Sequence, residues 1–290
     1  MIPSHAVIIP HFNDTARLRR CLGALFAPGI GTAEVVVVDN GSTEPTGWVS
    51  ADFPAVRLLH EPMKGAANAR NRGVAETTAP WVFFLDADCV PAPDWLSAAQ
   101  AGCGAADIVG GAIDVFDETP PPRSGAQAFE TVFAFNYRDY IEKKHFSVTA
   151  NLLTSRTVFD AVGPFIDGLS EDAEWCLRAR AKGFRIALDE NLRVSHPTRS
   201  DMPALDRKWR RITREMFALH QTRHPGLTGR VLWAARAPVV ALSALAHLPK
   251  LVASPRLSGG AERASGAAAL ISMRCRRAWW MLRQAFGGQI

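Results

Sequence analysis

The sequence predicts an α/β fold: a doubly wound, mainly parallel sheet with helices on both faces, followed by a basic helical C-terminal appendage. Three observations carry this reading. Short runs that are apolar on both faces recur through the first two hundred residues. Helical patterns separate them, and the runs end in polar segments that carry carboxylates. Strands buried on both faces need cover above and below, which crossover helices between parallel strands supply. Ligands of such sheets bind beyond the carboxyl ends of the strands, so those polar ends are candidate chemistry.

The elements follow in order. Ala6-Val7-Ile8-Ile9-Pro10 reads as a buried strand, and Asp14 to Phe26 then places Leu18, Leu22, Leu25 and Phe26 on one helical face. Glu34 to Val38 is the second strand, four valines long and ending at Asp39. Val56 to Leu59 is the third, followed by a helix of small residues from Gly65 to Glu76. Trp81 to Leu85 is the fourth, again followed by an aspartate. The break Thr119-Pro120-Pro121-Pro122 divides a first half, residues 1–118, from a second, residues 123–200. The second half carries an aromatic segment from Phe129 to Tyr140, a strand-like Ser147 to Thr154, and a helix from about Glu171 to Lys182. Residues 201–290 form a separate tail. There Trp209, Ile212, Met216 and Leu219 recur at helical spacing against Arg207, Lys208, Arg210, Arg211 and Arg214.

Composition narrows the function classes. With 48% hydrophobic and 21% charged residues, the chain is not disordered, collagenous or a disulfide miniprotein. The formal charge of +5 hides a split: 17 Lys and Arg face 24 Asp and Glu up to His196, against 16 and 4 from Pro197 onward. Five scattered cysteines, an odd number without a Cys-x-x-Cys pair, suggest reduced thiols in a cytosolic compartment. Met1-Ile2-Pro3-Ser4-His5 lacks a basic region and a cleavage site, so no signal peptide is expected. The membrane candidate Val231 to Val252 is interrupted by Arg236, Pro238, His247, Pro249 and Lys250. Its cleanest stretch, Ala237 to Leu248, falls short of the about 20 residues a span requires, so no span is expected there.

Four segments and one histidine could carry chemistry. Asp86-Ala87-Asp88 places two hard carboxylates at a strand end, a pattern suited to Mg²⁺ or Mn²⁺ bridging a diphosphate; it also fits a pair of loop acids. Asp39, before Asn40-Gly41-Ser42-Thr43, could read ribose hydroxyls or a base, although Asn-Gly-Ser is itself a turn signal. Lys64 to Gly73 opens a helix with small residues and cations that could approach phosphate, or that pack helix on sheet. Glu171-Asp172 could hold a proton acceptor in a cleft, or simply complement a helix dipole. His196, after a further strand-like run, would complete a metal shell with nearby carboxylates, though a lone histidine is more often structural. No G-x-x-x-x-G-K-[ST] sequence occurs, which excludes a P-loop NTPase.

Together these residues resemble family 2 glycosyltransferases, the inverting enzymes of GT-A fold. The matching pieces occur in family order over about residues 5–200. They are Val7 to Asn13, Val36 to Thr43, Gly65 to Gly73, Phe84 to Asp88, Phe159 to Phe165, and Glu171-Asp172 with Cys176-Leu177-Arg178 and Gly183-Phe184. The resemblance implies a GT-A-type sheet, a nucleoside-diphosphate sugar donor (UDP-, GDP- or dTDP-linked) and Mn²⁺ or Mg²⁺. It divides residues 1–200 into a nucleotide-sugar half and an acceptor half. It implies that Pro10 and Phe12 line the base pocket, that Asp39 contacts the uracil- or ribose-like end, and that Arg72 helps hold the base. Asn40, Lys64, Asn68 and Ala87 join the donor contacts. Asp86 would bind ribose or metal, Asp88 the metal, and His196 would be a further metal ligand. Asp172 would be the base that activates the acceptor hydroxyl, with Glu171 beside it. Two departures stand out. Many relatives have Gly-Gly-Phe-Asp where this chain has Gly163-Pro164-Phe165-Ile166-Asp167. No Q-x-x-R-W motif follows the Glu-Asp pair, which disfavours a processive polymerase.

The tail lies beyond the resemblance. Its basic amphipathic pattern, repeated from Arg274 to Arg283 around Trp279 and Trp280, suits an anionic bilayer surface, where each Lys or Arg is worth about 1 kcal/mol. Packing of its apolar face on the body is the alternative. A glycan or lipid-linked acceptor, and a cytoplasmic location at the inner face of the cell membrane, fit the first reading. A nucleotidyltransferase would want a Gly-rich basic loop where Pro10 to Asp14 stand, and a nucleic-acid module would leave the strand-end carboxylates unexplained. No nucleic-acid partner is expected. A sugar-nucleotide binder without turnover is the other alternative, against which Asp86, Asp88 and Asp172 speak.

Overall fold

In a computed structural model, residues 4–290 are described; Met1–Pro3, part of the segment in which no signal peptide is expected, lie outside them. The elements are β1 His5–His11, α1 Thr15–Phe26, β2 Ala33–Asp39, α2 Trp48–Asp52, β3 Val56–His60, α3 Ala66–Ala75, β4 Trp81–Leu85, β5 Val90–Pro91, α4 Trp95–Ala101 and β6 Ile108–Phe116. There follow α5 Gly125–Phe133, a π-helical turn Asp139–Lys143, β7 Asn151–Ser155, α6 Arg156–Val162, α7 Glu171–Ala181 and β8 Ile186–Pro197. Three helices end the chain: α8 Met202–Arg223, α9 Gly226–Val252 and α10 Gly259–Ala285.

One sheet runs in the order β3-β2-β1-β4-β7-β6-β8-β5. β3, β2, β1 and β4 are parallel, joined by crossover helices as the alternation of apolar runs and helical patterns predicts. Beyond β4 the sheet is mixed, because β7 runs against both β4 and β6, and β8 against β5. The strand β6 is not marked by an apolar alternation; Gly110 and Gly111 interrupt it. A Cβ on Gly111 would stand 2.1 Å from Asn151 Nδ2 and 2.2 Å from the Leu192 carbonyl, so the glycine admits two neighbouring strands at close range. The buried Asn151 fills that place, donating to the carbonyls of Ala112 and Leu192 and accepting from the Trp95 indole.

The chain divides into two compact units. The first runs to Asp114 and takes in Asn136–Asp167 and Glu171–His196. Its core joins Ile8, Val36, Phe84 and Leu152 to Phe159, Phe165 and Trp175, with Phe84 edge-on to Phe165 at 5.1 Å between ring centroids. The second comprises Val115–Phe135, Gly168–Ser170 and Pro197–Ile290. There Phe129 of α5, Leu205 of α8, and Leu270, Met273 and Trp280 of α10 share a core. α5 is held at its start by a capping box between Ser124 and Gln127, and α8 by the Asp201 side chain accepting from the Ala204 amide.

One expectation about the tail changes. The apolar segment is not broken at Pro238 or Pro249, which sit inside a single helix of 27 residues. Among the described residues α9 is the one helix long and apolar enough to cross a membrane by length and composition, whereas the sequence confines the apolar stretch to Ala237–Leu248. All five cysteines are free thiols.

Candidate active site

The site is assembled at the carboxyl ends of the parallel strands. Register alone sets His11 of β1 beside Asp39 of β2, and Asp39 beside His60 of β3. The buried Asp39 carboxylate lies 3.3 Å from His11 Nδ1 and 3.0 Å from His60 Nδ1, and accepts from the Ser42 amide. Burial by itself would raise the pKa of Asp39, but the hydrogen bonds from Ser42 and His11 hold its carboxyl below the usual range. The Asp14 amide donates to His11 Nε2, which leaves Nδ1 as the protonated nitrogen facing Asp39. Asn13 ties the two loops together: its amide donates to Ser42 Oγ, and its side-chain oxygen accepts from the Thr43 amide.

The next loop is set by Asn40. Its side-chain nitrogen donates to the carbonyls of Glu61 and Met63, and its oxygen accepts from the Gly65 amide at 2.7 Å. That fixes Lys64, whose ammonium lies 5.4 Å from the centroid of the half-exposed Phe12 ring. Asn68, in the first turn of α3, donates to the Lys64 carbonyl. Pro10 stands half-buried at the end of β1.

α3 places two arginines differently. Arg72, expected at the base, turns to Glu76 one turn further on, and Arg70 takes the interior place instead. The physical reason is helical spacing: Ala67, Arg70 and Val74 share the inner face, while position 72 lies on the opposite side. Arg70 is 3% exposed; its guanidinium donates to Asp86 Oδ1 at 2.6 Å and to Glu171 Oε1 at 3.0 Å. Burial would lower its basicity, but Asp86, Glu171 and Asp172 raise it above the ordinary value. Sequence reasoning missed Arg70 because an arginine among small helical residues carries no mark of facing inward; its three-residue offset from Ala67 was the available signal.

The expected metal ligands make different contacts. Asp86 and Asp88 both follow β4; Asp86 is drawn to Arg70, and Asp88 meets His196, with Oδ2 3.1 Å from Nε2. The pairing of Val90 with Ser195 between β5 and β8 brings those two side chains together. Ala87, between Asp86 and Asp88 in sequence, is buried. Among the described residues no group of three or more His, Cys, Asp or Glu side chains is arranged to hold a metal ion by itself. A carboxylate and an imidazole are nonetheless a suitable partial shell for Mn²⁺ or Mg²⁺, which keep positions for water and substrate phosphate.

α7 presents Glu171 and Asp172 in its first turn. The helix is anchored where the sequence departs from the family pattern. The Trp175 indole donates to the Gly163 carbonyl, and Arg178 donates to the carbonyls of Val162 and Pro164. Asn71 of α3, another residue not anticipated, exchanges two hydrogen bonds of 2.9 Å with the Phe165 backbone. Gly65 stands so close to Asp167 that a Cβ there would lie 2.1 Å from its Oδ1. The helix bearing Arg70 is thus pinned to the loop that leads into Glu171-Asp172.

Residues 6–163, more than half the chain, match the model of glycosyl transferase family 2. The chain belongs to this family. The match ends before Glu171 but covers the strand ends bearing Asp39, Asp86 and Asp88. Among family relatives, the chain is 28% identical over 221 residues to the glycosyltransferase AglE of Haloferax volcanii, covering 72% of each protein. It is 30% identical over 247 residues to the pre-mycofactocin glycosyltransferase of Mycobacterium tuberculosis, covering 78% of this chain and 50% of that one. The fold is that of GT-A glycosyltransferases. The mannosyltransferase PcManGT of Pyrobaculum calidifontis, solved with GDP-Man and Mn²⁺, aligns with a TM-score of 0.61 at 19% identity over 96% of this chain and 88% of that one. TarS of S. aureus, solved with UDP-GlcNAc, aligns at 0.56 and 14% identity over 98% of this chain and 92% of that one. Family membership favours glycosyl over nucleotidyl transfer.

Proposed function

We propose that this family 2 glycosyltransferase is inverting and metal-dependent. It moves a sugar from a nucleoside-diphosphate donor, UDP-, GDP- or dTDP-linked, to an acceptor hydroxyl. The observation that carries this reading is the buried Arg70, which spans from Asp86 on the donor strand to Glu171 at the start of α7. A single cation thereby holds the donor-side carboxylate and the Glu171-Asp172 turn at a fixed separation. The nucleotide-bearing neighbours PcManGT and TarS support a sugar-nucleotide donor.

In this reading Asp39 takes the nucleoside end, with Phe12 offering an aromatic face and Lys64 a cation nearby. Mn²⁺ or Mg²⁺, held by Asp88 and His196, would neutralise charge on the departing diphosphate. Asp172 accepts the proton of the acceptor hydroxyl, whose oxygen forms the new bond to the anomeric carbon as the nucleoside diphosphate leaves. The configuration inverts in that single displacement, and no covalent nucleophile is required. Glu171 is committed to Arg70 and so positions its neighbour. The acceptor is a cell-envelope glycan or a lipid-linked one, and the enzyme works from the cytoplasm at the inner face of the membrane. The basic tail supports that location.

Two measurements test the reading. Asp172→Asn is expected to lower transfer about 10²–10⁴-fold, the range of a lost general base, while leaving donor binding intact; full activity in this variant rejects the assignment. A thermal-shift screen of UDP-, GDP- and dTDP-sugars with and without Mn²⁺ is expected to raise the melting temperature with one donor class, by more when the metal is present. Asp88→Ala should remove the metal-dependent part of that shift. No shift with any donor argues against a nucleotide-sugar site.

A further inference from the structure

The helix α9 has two unlike faces. Gly229, Trp233, Ala237, Ala244 and Leu251 are buried, and Trp233 and Ala237 pack against Ala278 and Met281 of α10. The opposite face is apolar as well, yet open: Leu227 is 77% exposed, Val231 59%, Val239 66%, Leu242 65%, Leu245 66% and Val252 49%. Their spacing keeps them on one side of the helix, with Ala235 and Ala246 between them and no charged residue on the stripe's midline. Exposed apolar side chains are ordinary when single, but a continuous stripe along 27 residues marks a contact surface. The adjoining α10 adds an exposed Ile271 and an exposed Trp279.

Charge decides among occupants. No Asp or Glu occurs between Met216 and Ala261, whereas Arg223, Arg230, Arg236, Lys250 and Arg256 lie in that interval. Among the described residues none of these five cations is ion-paired. Two sit beside aromatic rings instead: the Arg236 guanidinium lies 5.5 Å from the Trp233 ring and the Lys250 ammonium 5.6 Å from that of Phe133. A second copy of the chain would bring an equally cationic face against this one. An anionic partner suits the flanks, and an apolar interior suits the stripe.

We infer that α9 lies in the plane of an anionic lipid surface, with the stripe from Leu227 to Val252 sunk into the headgroup boundary and its flanking cations at the phosphates. This deepens the peripheral-membrane reading proposed above and rests on it. The helix is long enough to cross a bilayer, but its inner edge at Trp233 and Ala237 is packed on Ala278 and Met281 of α10, and lying in the plane keeps that packing. A helix with one buried and one open apolar face, edged by Arg and Lys, has the form of an interfacial element.

The test uses the full chain in sedimentation with vesicles of phosphatidylcholine containing one third phosphatidylglycerol, compared with pure phosphatidylcholine. The wild type is expected to bind the anionic vesicles at low salt, with partitioning falling at least tenfold in high salt or without the anionic lipid. Leu242→Asp with Leu245→Asp is expected to lower partitioning at least tenfold, with melting temperature and donor-induced thermal shift unchanged. Those two controls separate loss of the surface from loss of the fold or of the glycosyltransferase site. Absence of wild-type binding at low salt, or unchanged binding by the double variant, overturns the inference. So does sedimentation equilibrium showing a wild-type dimer that the double variant dissolves without any vesicle binding, which would assign the stripe to a second copy. A fluorophore at Leu242→Cys, in a Cys275→Ser background, should be quenched more by bromine near the headgroup than at the end of the acyl chain; the reverse order contradicts the in-plane placement.

Discussion

Arg70 concentrates the energetics of the site in one side chain. Its burial strips a guanidinium of water, and the two carboxylates it bridges offset that cost; removing one member of such a set leaves the others uncompensated. Because Asp86 and Glu171 keep partial contact with solvent, Arg70→Ala is expected to cost near the lower end of the about 3–5 kcal/mol range for broken buried pairs, read as a shift in the urea unfolding midpoint. Arg70→Lys conserves charge but has one ammonium where the guanidinium reaches two carboxylates with separate nitrogens, so it should recover stability more fully than activity. Equal activity in wild type and Arg70→Lys would show that the spacing of Asp86 and Glu171 does not matter to turnover. Asp39 behaves differently. Its carboxyl is held below the usual range, so it is ionised throughout neutral pH, and Asp39→Asn should weaken donor-induced thermal shifts equally at pH 6 and pH 8.

At the scale of elements, close approach is written in glycines. A Cβ on Gly73 of α3 would come 2.5 Å from Ile8 Cγ2 of β1, a side-chain atom that can give way, so Gly73→Ala is expected to cost about 1–3 kcal/mol. At Gly111 the obstacle includes a backbone carbonyl that cannot yield, so Gly111→Ala should lower the urea midpoint further than Gly73→Ala does. The reverse order would mean that β6 and β8 separate more easily than their contacts imply. These positions also explain what the sequence made legible. β1, β2 and β4 are marked because each is apolar on both faces and ends at a polar residue that the parallel register then aligns. The strand β6 is hidden because its glycines serve packing and erase the alternation by which a strand is recognised. The same limit applies in the site. Asp39, Asp86, Asp88 and Asp172 stand at element ends, where polarity is conspicuous. Helical spacing can mark the inner face for Arg70, but Arg70, Asn71, His11 and His60 acquire their partners only when α3 is laid on the sheet and three strands are set in register.

At the scale of the whole chain, a carboxylate from the acidic portion of the sequence is buried in the second unit against a cation of the basic tail. Glu130 of α5 is 2% exposed; it accepts from the Arg199 amide and pairs with Lys208 of α8. Burial would raise its carboxyl, but Lys208 and Arg199 hold it below the ordinary range. A depressed folded-state value means that the stabilisation is complete above the ordinary carboxylate range and is lost as pH falls through it. Glu130→Gln keeps the shape but leaves the Lys208 ammonium without its counter-charge, so the variant should be less stable by several kcal/mol at pH 7, on the order of the about 3–5 kcal/mol for a broken buried pair. The difference between wild type and variant should then shrink as pH is lowered from 5 towards 3, because the wild type loses its ionised Glu130 over that interval while the variant has none to lose. Urea unfolding at a series of pH values reads this directly. A gap that stayed constant down to pH 3 would mean that packing at position 130, rather than the ion pair with Lys208, holds α5 to α8.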